Sequence, residues 1–581
     1  MENFNRRVPF VLGLLGLVLA ILVGQLLSFQ LRLSPSIQDF QESAASREGY
    51  RARIQPQRGQ IYDREQVVLA VNTFQYRVGI SPALVRDRRQ AAIDLAQVLG
   101  LQEEDIYRNL QPDLNGIFAQ YVLLASPIDD ATARQIEDLD ISGLQIESIP
   151  LRAYPQGELT SQLIGFVNYS EQGFFGIEGH YDRLLAGTAR EVEVAGTFLD
   201  VSDIPDARNG QSLVLTIDRD VQYLISQVLA ETILAEQARG GTIIVMNPRT
   251  GEILGMQSYP YFQPGEVPVD ETGQPVTYNP AIGALFEPGS IIKVVSAAIT
   301  LQANLPNVDL NWTYNNTGCF EAVGVQICDF DRAAKGNVDF RRCLVQSLNT
   351  CTATWYSILG PSRVYPKMQE FGFGAPLGID MEGEAAGLLP LPGDLNWSEA
   401  GFLNNSYGQG VAVTPLQILV AVNAIANDGL MMQPYIVRAR QDGDRVFETI
   451  PKPLSRPISP EVADAVTGLM VDTMAVGTID ELARVEGYTI AGKTGTAQQP
   501  IPGGYSQTAS WASFVGFLPA DDPIVSILVL LDRPAGYWGS QTAAPAFQKV
   551  VERLVVLWEI PPDELRYQLL ETGGRPFDRQ Y

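Results

Sequence analysis

Residues 287–302 read Glu-Pro-Gly-Ser-Ile-Ile-Lys-Val-Val-Ser-Ala-Ala-Ile-Thr-Leu-Gln, and this stretch decides the fold. Pro288-Gly289 breaks any preceding element, and the run after Ser290 is apolar nearly all round, which predicts a helix buried in a domain centre. Ser290 then sits at the helix N-terminus, with Lys293 one turn on and on the same face. A serine hydroxyl is a poor nucleophile until a base takes its proton. A lysine becomes that base when burial, a helix N-terminus or a second cation lowers its pKa. Alone the pattern is weak, because a chain of 581 residues supplies roughly one Ser-x-x-Lys by chance.

Two further motifs stand downstream in order. Ser347-Leu348-Asn349 lies 57 residues beyond Ser290. Its serine would relay a proton to a departing amine, and its asparagine amide would hold a peptide carbonyl or N–H. Lys493-Thr494-Gly495-Thr496 comes 146 residues later, on a predicted strand flanked by Ala491, Gly492 and Ala497. Glycines there would let a substrate backbone approach and add to the strand edge, while Lys493, Thr494 and Thr496 would hold a carboxylate.

Composition narrows the chemistry. The only histidine is His180, in Gly-Ile-Glu-Gly-His-Tyr-Asp, which reads as a surface or hinge residue. A His-rich zinc site is excluded, and lysine is left as the base for a nucleophilic enzyme. The formal charge of −25 argues against nucleic acid as a partner. Cys319, Cys328, Cys343 and Cys351 form no Cys-x-x-Cys pair. Cys319 and Cys328 would close a hairpin in an oxidising compartment, and Cys343 and Cys351 would either pair or stay buried thiols.

Val8–Leu27 is twenty residues with Gln25 the only polar one. As a helix it would cover about 30 Å, the thickness of a bilayer's hydrocarbon core. Arg6 and Arg7 precede it, so the expectation is an uncleaved, single-pass anchor with its N-terminus inside and the body outside the cytoplasm. The expected division is 1–31 cytoplasmic stub and anchor, 32–200 stalk and pedestal, 201–565 catalytic domain and 566–581 tail. Tyr76–Ile80 reads as a strand and Arg88–Leu99 as a helix. In the later part, strands are expected at Leu213–Ile217, Thr242–Met246, Glu252–Met256, Tyr488–Gln498, Ser510–Phe517 and Ile524–Leu531. Helices are expected up to Gln237, from Thr414-Pro-Leu-Gln417 to Asn427, and over Pro545–Trp558. Strands at both ends with helices between predict one sheet assembled from distant segments and covered by helices.

Ser-x-x-Lys, Ser-x-Asn and Lys-Thr-Gly in this order and context resemble the class B penicillin-binding proteins. The likeness runs over nearly the whole chain. In the first part it includes Arg58-Gly-Gln-Ile-Tyr-Asp63-Arg64, Arg152-Ala-Tyr-Pro155, Gly165-Phe-Val-Asn168, Gly176-Ile-Glu178 and Tyr181-Asp182, residues of the family's non-catalytic pedestal. In the second it includes Glu287-Pro-Gly-Ser290, Ser406-Tyr-Gly-Gln-Gly410, Thr414-Pro-Leu-Gln417 and Ala491–Ala497. The resemblance implies an α/β transpeptidase domain of the penicillin-binding and serine β-lactamase type, with an antiparallel sheet and a helical subdomain. An elongated α+β pedestal and one transmembrane helix would precede it. It further implies a D,D-transpeptidase of division or elongation acting on stem peptides that end in D-Ala-D-Ala, blocked by β-lactams. Ser290 would be the nucleophile, Lys293 its base, Lys493 the second cation, and the backbone N–H groups of Ser290 and Thr496 the oxyanion hole. Ser347 would pass a proton to the leaving D-Ala, Asn349 would orient the donor, and Thr494, Gly495 and Thr496 would complete the carboxylate site. No metal or cofactor is implied, and the expected partner is a polytopic glycan polymerase of the bacterial membrane. The rival readings are a D,D-carboxypeptidase or β-lactamase, a penicillin sensor, and a non-catalytic scaffold.

Overall fold

Alternate side chains of one sheet feed two different cores, and that alternation places the catalytic motifs. The structure is a computed structural model describing residues 50–54, 56–168, 170–194, 208–266, 269, 276, 278–476 and 481–572. The central sheet has five strands in the order Ile253–Tyr259, Gly240–Met246, Val525–Asp532, Gly504–Leu518, Ala491–Ile501, every pair antiparallel. Ile243, Val245, Phe514, Ile527 and Val529 face the helices Arg219–Glu236 and Ala543–Leu557, meeting Ile225, Leu229, Phe547 and Leu554. Their neighbours Ile244, Met246, Val515, Phe517 and Leu528 join the opposite core, with Val294 and Val295 of the helix Lys293–Gln302 and Leu419 of Pro415–Ala426. This is the period of two that a strand imposes. Each such side chain contributes roughly 1.5–3 kcal/mol by burial.

The expected helix start at Thr414 is met in detail, whereas the helix expected over Pro545–Trp558 runs from Ala543 to Leu557. Gln417 N donates to Thr414 Oγ1 at 3.1 Å and Thr414 N to Gln417 Oε1 at 3.0 Å, the reciprocal capping box. Of the last three strands only Gly504–Leu518 is longer than expected, starting before Ser510; Ala491–Ile501 begins and ends three residues later than Tyr488–Gln498, and the two form one continuous hairpin. Pro500 stands inside Ala491–Ile501, and Pro502 lies in the turn between the two strands. Ala491–Ile501 is an edge strand, and an edge tolerates a residue that cannot donate. A helix at Asp563–Glu571 also spans residues 565 and 566, its Arg566 fully buried and paired with Asp521 and Asp563.

A second, seven-stranded sheet was not legible in the sequence. Its order is Arg445–Glu448, Val437–Asp442, Ser212–Leu215, Ile61–Tyr62, Val68–Ile80, Val122–Ile128, with Leu144–Ala153 also on Val68–Ile80. The early motifs cluster beside it in a buried ion network. Arg58 pairs with Glu178 at 2.6 Å and Asp182 at 2.8 Å, and Arg152 Nε donates to Glu178 Oε1 at 2.7 Å. Glu178 is fully buried, so removing either arginine would leave a charge short of its partner.

The chain divides into two compact units. The one just described comprises 58–186 and 211–581. The other comprises 1–57 and 187–210, in which Tyr50–Ile54 pairs antiparallel with Arg190–Val194. The expected anchor Val8–Leu27, the expected stalk before residue 50 and the expected boundary near 201 lie outside the described residues. Among the described residues no helix is long and apolar enough to cross a membrane.

Candidate active site

Ser290 stands in a 3-10 turn, Gly289–Ile292, which runs directly into the helix Lys293–Gln302. The helix is buried along almost its whole length, from Lys293 to Thr300. Lys293 is 0% exposed. Its Nζ donates to the Ser347 carbonyl at 2.6 Å, to Asn349 Oδ1 at 2.7 Å and to Ser347 Oγ at 3.3 Å. Burial holds its pKa well below the ordinary lysine range, and the charge of Lys493 pushes it further down while Asp329 opposes. The first two motifs are therefore in direct contact, and the third is within electrostatic reach.

Ser347 takes a left-handed conformation with φ 53°, and Asn349 opens the helix Asn349–Leu359. Asn349 Nδ2 donates to the Cys328 carbonyl at 3.0 Å. An amide has two donors and two lone pairs, so each end of Asn349 keeps one position open. Asp329 braces the same corner: its carboxylate accepts from Thr350 N at 3.0 Å and Asn316 Nδ2 at 2.6 Å. Disulfides join Cys319 to Cys328 and Cys343 to Cys351, deciding the pairing that the sequence left open. The first closes the hairpin Cys319–Ala322/Val325–Cys328, and the second brackets Ser347 and Asn349. Sequence reasoning missed Asp329, because no local pattern links it to Thr350.

Lys493 is 1% exposed on the edge strand, and its Nζ donates to the Thr494 carbonyl at 3.2 Å. Gly495 also makes room for a neighbouring turn. A Cβ there would lie 2.4 Å from Ser513 Oγ, 3.0 Å from Ile291 Cγ2 and 3.1 Å from the Pro288 carbonyl. The room left by the missing side chain is thus filled by the turn carrying Ser290, pressed against the strand. Thr496 Oγ1 accepts from Gly539 N at 2.9 Å, which leaves its hydroxyl hydrogen to donate elsewhere.

The stretch Ser406–Gly410 clasps the nucleophile's turn. Gly289 N donates to the Gly408 carbonyl at 3.2 Å, and Ser296 Oγ donates to the Ser406 carbonyl at 2.8 Å. Gly408 has φ 87°, and a Cβ on it would stand 2.3 Å from the Gly289 carbonyl. Glu287 Oε1 accepts from Gly410 N at 2.9 Å and from Tyr505 Oη at 3.1 Å. His180 is exposed, its ring edge against Tyr181.

The family model described as penicillin binding protein transpeptidase domain matches residues 241–552, and the penicillin-binding protein dimerisation domain matches 53–215. The chain belongs to the penicillin-binding proteins. All three motifs of this penicillin-binding protein fall within the transpeptidase match, and the Arg58–Glu178–Arg152 network falls within the dimerisation match. It is 30% identical over 556 residues to stage V sporulation protein D of Bacillus subtilis, covering 93% of this chain and 84% of that one. It is 25% identical over 575 residues to the peptidoglycan D,D-transpeptidase FtsI of Buchnera aphidicola, covering 97% of each. Among solved structures, a peptidoglycan synthetase of Bifidobacterium adolescentis matches with TM-score 0.70 and 25% identity, over 88% of this chain and 97% of that one. Penicillin-binding protein 3 of Mycobacterium tuberculosis, complexed with aztreonam, matches with TM-score 0.67 and 26% identity, over 88% and 98%.

Proposed function

We propose that this penicillin-binding protein is a serine peptidoglycan D,D-transpeptidase whose acyl-enzyme forms on Ser290. The observation that carries the residue roles is the buried amine of Lys293, held by Ser347 and Asn349 and depressed in pKa by burial and by Lys493. A lysine whose neutral form is favoured, three residues on from a helix-start serine, is the base the reaction needs.

Ser290 Oγ attacks the penultimate D-Ala carbonyl of the donor stem peptide while its proton passes to Lys293. The Ser290 N–H lies in a first helical turn, where no intrahelical acceptor exists. With the Thr496 N–H it stabilises the tetrahedral oxyanion, each donor worth about 3 kcal/mol. Lys493, Thr494 and the Thr496 hydroxyl hold the terminal carboxylate beside Gly495. The intermediate collapses by breaking the D-Ala–D-Ala amide, and Ser347 passes a proton to the departing amine. An amine of a neighbouring stem peptide then attacks the ester, forming the new amide and freeing Ser290. Asn349 fixes Lys293 with one part of its amide and orients the donor with the other.

A β-lactam presents a strained amide to the same serine and leaves it acylated. Val8–Leu27 anchors the enzyme in the bacterial inner membrane with its body outside, which agrees with two disulfides in an oxidising compartment. The domain division at residues 31 and 200 stands as part of this proposal, the early part being a pedestal, while the helix Asp563–Glu571 continues through the division expected at 565. A polytopic glycan polymerase supplies the strands that are cross-linked.

The test is product analysis with a donor ending in D-Ala-D-Ala and an amine acceptor. Cross-linked dimer is expected, abolished by Ser290→Ala. Free acid alone would make the protein a carboxypeptidase.

A further inference from the structure

Phe330 is 80% exposed, yet its ring meets Trp538 edge to face, with centroids 4.7 Å apart and planes at 82°. The two rings come from opposite walls of the site. Phe330 directly follows Cys328 and Asp329, the residues that brace Asn349 and Thr350. Trp538 directly precedes Gly539, whose N–H donates to Thr496 Oγ1. Gly539 lies so close to the edge strand that a Cβ would stand 2.2 Å from the Gly495 carbonyl. The ring pair therefore spans the mouth between the Asn349 wall and the Thr496 wall.

The two walls differ in how firmly they hold their rings. Trp538 also packs edge to face on Tyr537, with centroids 5.0 Å apart, and the Tyr537 carbonyl accepts from Ser510 Oγ at 2.6 Å. Phe330 has little burial, and Trp538 is its one ring partner among the described residues. The disulfide Cys319–Cys328 ties down the hairpin behind Phe330, so its side chain is the part free to swing.

We propose that Phe330 and Trp538 form an aromatic gate over the channel between Asn349 and Thr496. The gate is closed in the free enzyme, and Phe330 swings aside to admit a stem peptide or a β-lactam with a bulky side chain. This rests on the reading of Ser290 as the acylated residue. A donor lying along the strand Ala491–Ile501 with its reactive carbonyl at Ser290 has to pass between those walls. One edge-to-face contact with little burial biases the gate shut without locking it, so the entering ligand meets a modest, removable barrier. A reagent with no side chain needs less of the opening, which makes the gate selective by size.

The experiment uses the full-length protein in detergent and compares wild type, Phe330→Ala and Phe330→Tyr. Second-order acylation rate constants are measured with a bulky fluorescent penicillin and with 6-aminopenicillanic acid. Phe330→Ala should raise the rate with the bulky reagent about fivefold, the population released by losing one such contact. The small reagent should change less, and Phe330→Tyr, which keeps the ring, should behave as wild type. An unchanged or slower rate with the bulky reagent, or an equal gain with both, overturns the gate and leaves Ser290 acylation standing. A wild type acylated by neither reagent overturns the serine reading and the gate with it.

Discussion

Lys293 Nζ donates to Asn349 Oδ1 at 2.7 Å, which ties the second motif directly to the proposed base. If Lys293 is the base, as proposed, it acts as the neutral amine, and the rate should fall as pH drops through its depressed pKa. Asn349→Asp would set a carboxylate against that nitrogen, and an opposite charge at this range raises a lysine pKa by about one to three units. The acid limb of the acylation profile should therefore move to higher pH. Stopped-flow acylation across pH checks this; an unmoved limb would deny Lys293 the role of base.

The same depression has a consequence for stability. Unfolded, Lys293 recovers the ordinary lysine pKa, so between its lowered folded value and that ordinary value the unfolded chain binds the extra proton. Stability should then rise with pH across this window, by up to about 1.4 kcal/mol per unit. Lys293→Met should lack that rise. Urea midpoints of both proteins between neutral and alkaline pH give the comparison, and parallel curves would contradict it.

Gly495→Ala forces a methyl group against Ser513, Ile291 and the Pro288 carbonyl. Overpacking of this kind costs about 1–3 kcal/mol. The displaced turn carries Ser290, so acylation should slow by more than the loss of folded protein accounts for. Chemical denaturation and active-site titration on one preparation separate the two effects.

The bridge Cys343–Cys351 closes a short loop around Ser347 and Asn349. Chain entropy for a loop of this length corresponds to about 2–3 kcal/mol. Cys343→Ser combined with Cys351→Ser should lower unfolding stability by that amount and slow acylation, with folded far-ultraviolet dichroism retained.

How far the sequence could be read depends on where each signal lies. The helix after Ser290, the capping box at Thr414 and the strand-forming runs near the C-terminus are local patterns, and each appears at its pattern or within a few residues of it. The seven-stranded sheet escaped because Ser212–Leu215 pairs with both Ile61–Tyr62 and Val437–Asp442, and no local period records such distant partners. The hairpin after Lys493 ran on past Pro500 because strand position, edge or centre, decides whether a proline is tolerated. At the site, the residue types and their order were legible. What was not legible is that Asp329 and the Cys328 carbonyl hold the second motif, and that Gly495 makes room for the Ser290 turn. Those are contacts between surfaces, set by packing and not by spacing.

Acylation of Ser290 is read without intermediaries by intact-protein and peptide mass spectrometry after incubation with penicillin, on wild type and Ser290→Ala. The wild type should carry a single penicilloyl adduct, located to the peptide containing Ser290, and the variant none. An unmodified wild type, or an adduct that persists in Ser290→Ala, would refute Ser290 as the nucleophile.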